Sequence, residues 1–139
     1  MAYCRWLSVK SGQSVALLSE AQWVRAARGS SGLDFAWGSE WDSDSVNANF
    51  RLQRTSLVGL CPNGATSEGV QDMVGNVWVW CLDEHSVSPT GKTWRIVRGG
   101  AWNDITQDNG LCWQKCHISD YCHNDLGLRL VRTVPHSAL

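Results

Sequence analysis

The chain has 139 residues, 12 Lys and Arg against 13 Asp and Glu, and a formal net charge of −1. That length suits one domain rather than two and can bury a core without disulfides or a metal. Near-neutral charge argues against an electrostatic nucleic-acid or membrane-surface binder, and no apolar run is long enough to span a bilayer. Tryptophan supplies 9 aromatic residues beside 2 Tyr and 2 Phe, so the fold or its binding surface leans on indole packing.

Tyr3, Trp6 and Leu7 stand at helical spacing and Gly12 can end the turn, which predicts a short amphipathic helix. Ser19-Glu20-Ala21-Gln22 is a capping box that opens a second helix, with Trp23, Ala26 and Ala27 on one face and Gly29 as its stop. Residues 30–66 are rich in Gly, Ser, Asp and Asn with scattered Trp, and read as long packed loops. Strands are predicted from the apolar run within Met73–Cys81, from Trp94–Arg98 and from Leu126–Val131, where Leu alternates with other residues. Residues 103–125 show no period of 2 or 3.6. The pattern is an α+β domain of two helices, a small antiparallel sheet and much irregular loop.

Cysteines stand at 4, 61, 81, 112, 116 and 122, without a Cys-x-x-Cys pair. A redox dithiol or ribbon-type zinc site is therefore not expected, and a reduced, mostly buried set is. Cys112, Cys116, His117, Cys122 and His123 have zinc-ligand chemistry but fit no standard zinc spacing. A Cys112–Cys116 or Cys116–Cys122 disulfide is the alternative for that cluster. No Ser/His/Asp set, phosphate loop or paired-carboxylate motif stands out. No signal peptide opens the sequence.

Several motifs together point to a family. They begin with Ala2-Tyr3-Cys4-Arg5-Trp6-Leu7-Ser8, Leu18-Ser19-Glu20-Ala21-Gln22-Trp23 and Ala26-Ala27-Arg28-Gly29. Ala36-Trp37-Gly38, Ala48-Asn49-Phe50 and Pro62-Asn63-Gly64 follow. The strongest is Asp72-Met73-Val74-Gly75-Asn76-Val77-Trp78, ending in Trp80-Cys81. Val97-Arg98-Gly99-Gly100-Ala101-Trp102-Asn103 and Leu126-Gly127-Leu128-Arg129-Leu130-Val131-Arg132 complete the series. The chain resembles the formylglycine-generating-enzyme/sulfatase-modifying-factor domain family, a branch of the C-type-lectin-like fold. The resemblance runs over nearly all of residues 1–139. It implies a single domain that lacks the family's N-terminal strands, which would leave an exposed sheet edge and an apolar patch.

The oxidases of that family bind copper through a cysteine pair after the Gly-Gly segment, because Cu(I) needs soft thiolates. The matching positions here are Asp104 and Asn109, neither a thiol. The resemblance therefore implies a non-catalytic member. Family members also hold calcium near the Gly-Asn-Val-Trp motif. Asp72 and the carbonyls of Gly75 and Val77 match that site, but Val79 stands where a Glu is expected. Calcium is thus a weak candidate cofactor, and a turn-capping role for Asp72 is the alternative.

The flanks of residues 103–125 match the family closely, while the segment itself carries unusual residues and no Arg. It is similar to the rewritten segment in variable proteins of diversity-generating retroelements, which share this fold. That resemblance implies a variable region at 98–132 and a display surface drawn from Asp104, Ile105, Asp108, Trp113, Lys115, His117, Ile118, Tyr121, His123 and Asp125. Leu111, Trp113 and Ile118 have packing as the alternative. The implied ligand is a protein or glycan, since the acidic residues disfavour nucleic acid. The resemblance leaves the compartment open and is compatible with a cell-surface or phage-borne parent in a prokaryotic setting. A degenerate accessory domain of the sulfatase-modifying type is the second expectation, and an active oxidase the third.

Overall fold

The computed structural model describes residues 2–105 and 110–133. Helix α1 (Ala2–Ser11) leads into strand β1 (Ser14–Leu17) and helix α2 (Glu20–Arg28). A long irregular stretch follows, broken by short 3-10 turns at Ser43–Ser45 and Pro62–Gly64. The remaining strands are β2 (Trp78–Val87), β3 (Thr93–Arg98), β4 (Gln114–Ile118), β5 (Leu126–Leu128) and β6 (Leu130–Thr133).

Local chemistry sets both helices. Gly12 turns the chain out of α1 at φ +66°. The capping box of α2 is complete: the Gln22 amide donates to Ser19 Oγ at 3.1 Å, and the Ser19 amide donates to Gln22 Oε1 at 2.8 Å. Trp23 and Ala27 on α2 are buried as the pattern predicts. On α1, Tyr3 and Trp6 instead stack on one another and remain 50% and 53% exposed, with Cys4 the helix's one buried residue.

A four-stranded sheet runs in the order β4-β3-β2-β5, and a separate pair joins β1 to β6. The β4, β3 and β2 neighbours are antiparallel, but β5 lies parallel to β2, with Trp78 opposite Leu126. The stretch read as one strand, Leu126–Val131, is thus divided. Its first half serves one sheet and its second half the other, around Arg129, whose guanidinium donates to the Gln71 carbonyl. The region predicted to be aperiodic contains β4, which the sequence reading missed, as it missed β1.

The two sheet faces differ. Side chains alternate along a strand, so the register places Val79, Cys81, Ile96 and Arg98 toward α2. Val79, Cys81 and Ile96 join Trp23, Ala27, Met73 and Leu111 in the main core. Trp78, Trp80, Arg95, Val97, Lys115 and His117 lie on the opposite face. The cysteines are not mostly buried, contrary to expectation: Cys4 and Cys81 are, whereas Cys112 and Cys122 are exposed, and all six are free thiols. Burial, with Asp83 and Glu20 nearby, pushes the Cys81 thiol up to about 12.

The irregular loops are held by the Gly75-Asn76 pair. The Gly75 amide donates to Gly99 O at 2.7 Å and the Asn76 amide to Asn47 O at 2.9 Å. Asn76 Oδ1 accepts from the Ser56 amide at 2.9 Å, and its Nδ2 donates to Ser56 O. Gly75 sits at φ +73°, and a Cβ there would lie 2.5 Å from Val46 Cγ2 and 2.6 Å from Asn47 O. Gly75→Ala is expected to cost about 2–4 kcal/mol in a urea unfolding titration, from overpacking and backbone strain together. A loss within error of zero would show that the loop can move aside.

Candidate ligand-display face

The described parts of segment 103–125 are anchored from the core side. Arg98, buried at the end of β3, donates through Nη1 to Cys112 O at 3.0 Å and to Trp113 O at 2.7 Å. Its guanidinium lies over Trp23 at 5.1 Å, and Nε is 3.4 Å from Glu20 Oε1, an ion pair rather than a hydrogen bond. Leu111 beside it is 1% exposed, and its amide donates to Asp34 O at 2.8 Å. Leu111 is therefore core.

Asp104 and Asp125 hold the two ends. Asp104 Oδ2 accepts from the Ala101 amide at 2.8 Å, and its carbonyl accepts from the Asn49 amide at 3.0 Å. Asp104 Oδ1 takes the Lys115 ammonium at 2.8 Å, and that ammonium lies over the Trp78 ring at 4.5 Å. Asp125 O accepts from the Trp78 amide at 2.8 Å. Its carboxylate accepts from Asn103 Nδ2 at 3.1 Å and contacts His123 Nδ1 at 2.6 Å. Burial alone would raise the Asp125 pKa, but the hydrogen bonds from His123 and Asn103 outweigh it and leave it below the ordinary carboxylate value.

Between these ends runs a ladder of rings. His117 meets Trp80 edge to face at 6.3 Å, stacks on Tyr121 at 4.8 Å, and Tyr121 stacks on His123 at 5.9 Å. The His117 pKa is lowered, first by burial, with Lys115 and His123 adding repulsion and Asp125 opposing them.

The structure thus brings together Asp104, Lys115, His117, Tyr121, His123 and Asp125 on the sheet face turned away from α2. Ile105 and Trp113 are exposed at 66% and 45%. Ile118 does not join the ladder: strand alternation turns it toward the α2 side. Asp108, like Asn109, lies outside the described residues. Sequence reasoning missed Trp78, Trp80 and Asn103. The first two were visible as alternate positions of a predicted strand, but their neighbours follow only from cross-strand register.

The motif offers calcium a single carboxylate, Asp72, beside the carbonyls of Gly75 and Val77, with Val79 where a Glu is expected. Asp72 Oδ2 already accepts the Gly59 amide at 2.8 Å, the Arg129 guanidinium is its electrostatic neighbour, and Val79 is buried core. Through that bond Asp72, at φ +54°, caps the Gly59 amide. Copper fits no better, because Asp104 is a carboxylate committed to Ala101 and Lys115. Among the described residues no group of three or more His, Cys, Asp or Glu could hold a metal ion, and no helix is long and apolar enough to cross a membrane.

A small mixed sheet, two helices, one with a complete capping box, and amide-stapled loops around an exposed segment define a C-type-lectin-like α+β domain. The chain belongs to the sulfatase-modifying factor enzyme 1-like domain family, whose model matches residues 1–134. It is 31% identical over 122 residues to the serine/threonine-protein kinase Pkn1 of Chlamydia trachomatis, an alignment covering 77% of this chain and 18% of that protein. Its fold matches PvdO from Pseudomonas aeruginosa with a TM-score of 0.80 at 24% identity, covering 96% of this chain and 58% of that one. It also matches Treponema denticola variable protein 1, with a TM-score of 0.69 at 23% identity, over 85% of this chain and 47% of that one. Within this family it is a member without the oxidase thiol pair, since Asp104 and Asn109 stand at those positions.

The ladder gives a pH prediction. His117 is depressed below its ordinary value near 6.5, so the unfolded chain takes up that proton first as pH falls. Its contribution to stability is present above that value and is lost as pH drops through it. Urea midpoints measured from pH 7.5 to pH 5 should fall with acid, and His117→Phe should flatten the slope. An unchanged slope in that variant would remove His117 as the source.

Proposed function

We propose that the outer sheet face is a non-catalytic display surface for a protein or glycan ligand. Residues 98–132 form its variable region, as in variable proteins of diversity-generating retroelements, within one domain spanning 1–139. One observation carries this reading: inward-facing groups fix the backbone at Cys112, Trp113 and Asp125, while the exposed rings of Tyr121 and His123 contact one another, His117 and Asp125. Arg98 holds the carbonyls of Cys112 and Trp113, and Trp78 holds that of Asp125. Trp113, Tyr121 and His123 are exposed on that fixed path. Rigid aromatic side chains on a scaffold give contact area at low entropic cost. The fold shared with Treponema denticola variable protein 1 supports the reading. A cell-surface or phage-borne parent in a prokaryote suits it.

Two measurements test it. Trp113→Ala, Tyr121→Ala and His123→Ala combined should leave the protein cooperatively folded, at a cost of about 1–3 kcal/mol from the two ring stacks they remove. The same triple variant should lose at least ~10-fold in affinity for any ligand selected on the parent from glycan and protein panels, equivalent to about 1.4 kcal/mol. Leu111→Ala, by contrast, should cost about 2–4 kcal/mol. If the triple variant unfolds or binds undiminished, the face is not a display surface. Beside the gene, a reverse transcriptase and a near-copy of the coding segment for 98–132 differing at adenines are expected. Their absence would remove the diversification.

A further inference from the structure

Around the outer sheet face, basic side chains are matched one to one with carboxylates. Lys115 meets Asp104 at 2.8 Å, Arg95 meets Glu84 at 2.8 Å, Lys92 meets Asp120 at 3.2 Å and His123 meets Asp125 at 2.6 Å. Among the described residues His117, in the middle of the ring ladder, forms no such pair. Its neighbours on the sheet are cations: Lys115 two residues before it on β4, and Arg95 directly opposite on β3. From β2 it meets the Trp80 ring, with Glu84 held by Arg95. From the loop after β4 it meets Tyr121, and His123 stands on the far side of that ring. Tyr3 and Cys4 of α1, which border Trp80 and Arg95, bring no carboxylate. Asp125 is the acid that acts on His117, and His123 and Asn103 already hold its oxygens.

We propose that the ring ladder is an acid-opened latch: a proton on His117 parts its ring from Tyr121 and frees the loop that carries Tyr121. A neutral imidazole stacks on a phenol ring as one aromatic group on another. An imidazolium there gains some attraction to the Tyr121 face. It also stands among Lys115, Arg95 and a protonated His123, with every nearby carboxylate already engaged. Water at the open edge of the sheet answers that charge better than the stack does. The depressed pKa of His117 agrees, since burial, Lys115 and His123 all oppose its charged form. Opening can stay local. Strand β4 is an edge strand bonded only to β3, and residues 121–123 lie in neither helix nor strand. The stack at 4.8 Å is thus a tie between that loop and the sheet. His123 answers acid the other way, because its proton strengthens the bond to Asp125. One end of the ladder is held while the other lets go. The latch stands without the display reading; on that reading it makes the contact area of the face depend on pH.

The chain has 2 Tyr and 4 His, so NMR of protein labelled in those rings gives few, assignable signals. In the full chain at pH 7.5, a nuclear Overhauser contact should join the rings of His117 and Tyr121. On titration to pH 4.5 that contact should be lost. Its midpoint should coincide with the titration of His117, below the ordinary histidine value near 6.5, while the amide signals of β2 and β3 stay dispersed. His117→Phe should keep the contact throughout, because its ring cannot take a charge. Lys115→Met, which removes a like charge and keeps an apolar stem over Trp78, should move the midpoint up by on the order of half a pH unit. A ring contact that survives to pH 4.5, loss of contact in His117→Phe as well, or collapse of the whole spectrum in the same step would overturn the latch. The display reading is tested separately, by the triple variant at pH 7.5, where the latch is closed.

Discussion

The buried guanidinium of Arg98 decides where the exposed segment can run. A cation removed from water is costly unless its charge and its donors are all answered. Here Glu20 answers the charge at 3.4 Å, the face of Trp23 covers the ion, and the carbonyls of Cys112 and Trp113 both accept from Nη1, while Nε makes no hydrogen bond. The last two contacts are to backbone and so indifferent to the side chains at 112 and 113. The capping box of α2 contributes at a distance, since it fixes the helix turn that presents both Glu20 and Trp23. Sequence-local chemistry at Ser19 thereby sets the position of a loop ninety-odd residues later, through one ion.

Amide staples do for the rest of the chain what strands do elsewhere. Buried backbone groups need partners whether or not they lie in ladders. Between α2 and β2 the chain has only short 3-10 turns, yet Asn47 and Asn76 supply side-chain amides to the backbone of Arg54 and Ser56. Asn76 is at φ +61° and Gly75 at φ +73°, conformations that short polar residues and glycine accept most readily. The same pair touches the Gly99–Trp102 turn, because the Gly75 amide reaches Gly99 O and Asn76 O accepts the Trp102 amide. One dipeptide therefore holds both the long loop and the entrance to the display segment.

What was legible in the sequence follows from the range of each interaction. The capping box, the stop at Gly12 and strand β3 rest on neighbours within a turn or on strict alternation, so they could be read directly. Strand β4 could not, because Gln-Lys-Cys-His-Ile has no apolar period and owes its form to pairing with β3. Leu126–Val131 alternates as one strand would, and nothing local reveals that Arg129 hands the chain from one sheet to another. At the site, the polar and aromatic residues of 103–125 were visible as an aperiodic segment, with Asp72 open to both a capping and a calcium role. That His117 would rest against Trp80, and Ile118 turn the opposite way, depends on register across three strands, which single-sequence patterns do not carry.

The sheet divides its labour by face, and that division sets how the segment can change. Inward contacts made by Leu111, and backbone clamps made by Asp104 and Asp125, hold the path, so a replacement there removes a support rather than altering a surface. His117, Tyr121 and His123 mainly touch one another and Trp80. A change at one of them loses a ring contact worth about 0.5–1.5 kcal/mol, small beside the several kcal/mol by which a domain is stable. Lys115 is intermediate: its aliphatic stem and ammonium cover Trp78 while its charge meets Asp104. A surface built this way tolerates exchange where the ladder is and resists it where the clamps are. On the proposed display reading, the residues offered to a ligand are those the fold needs least.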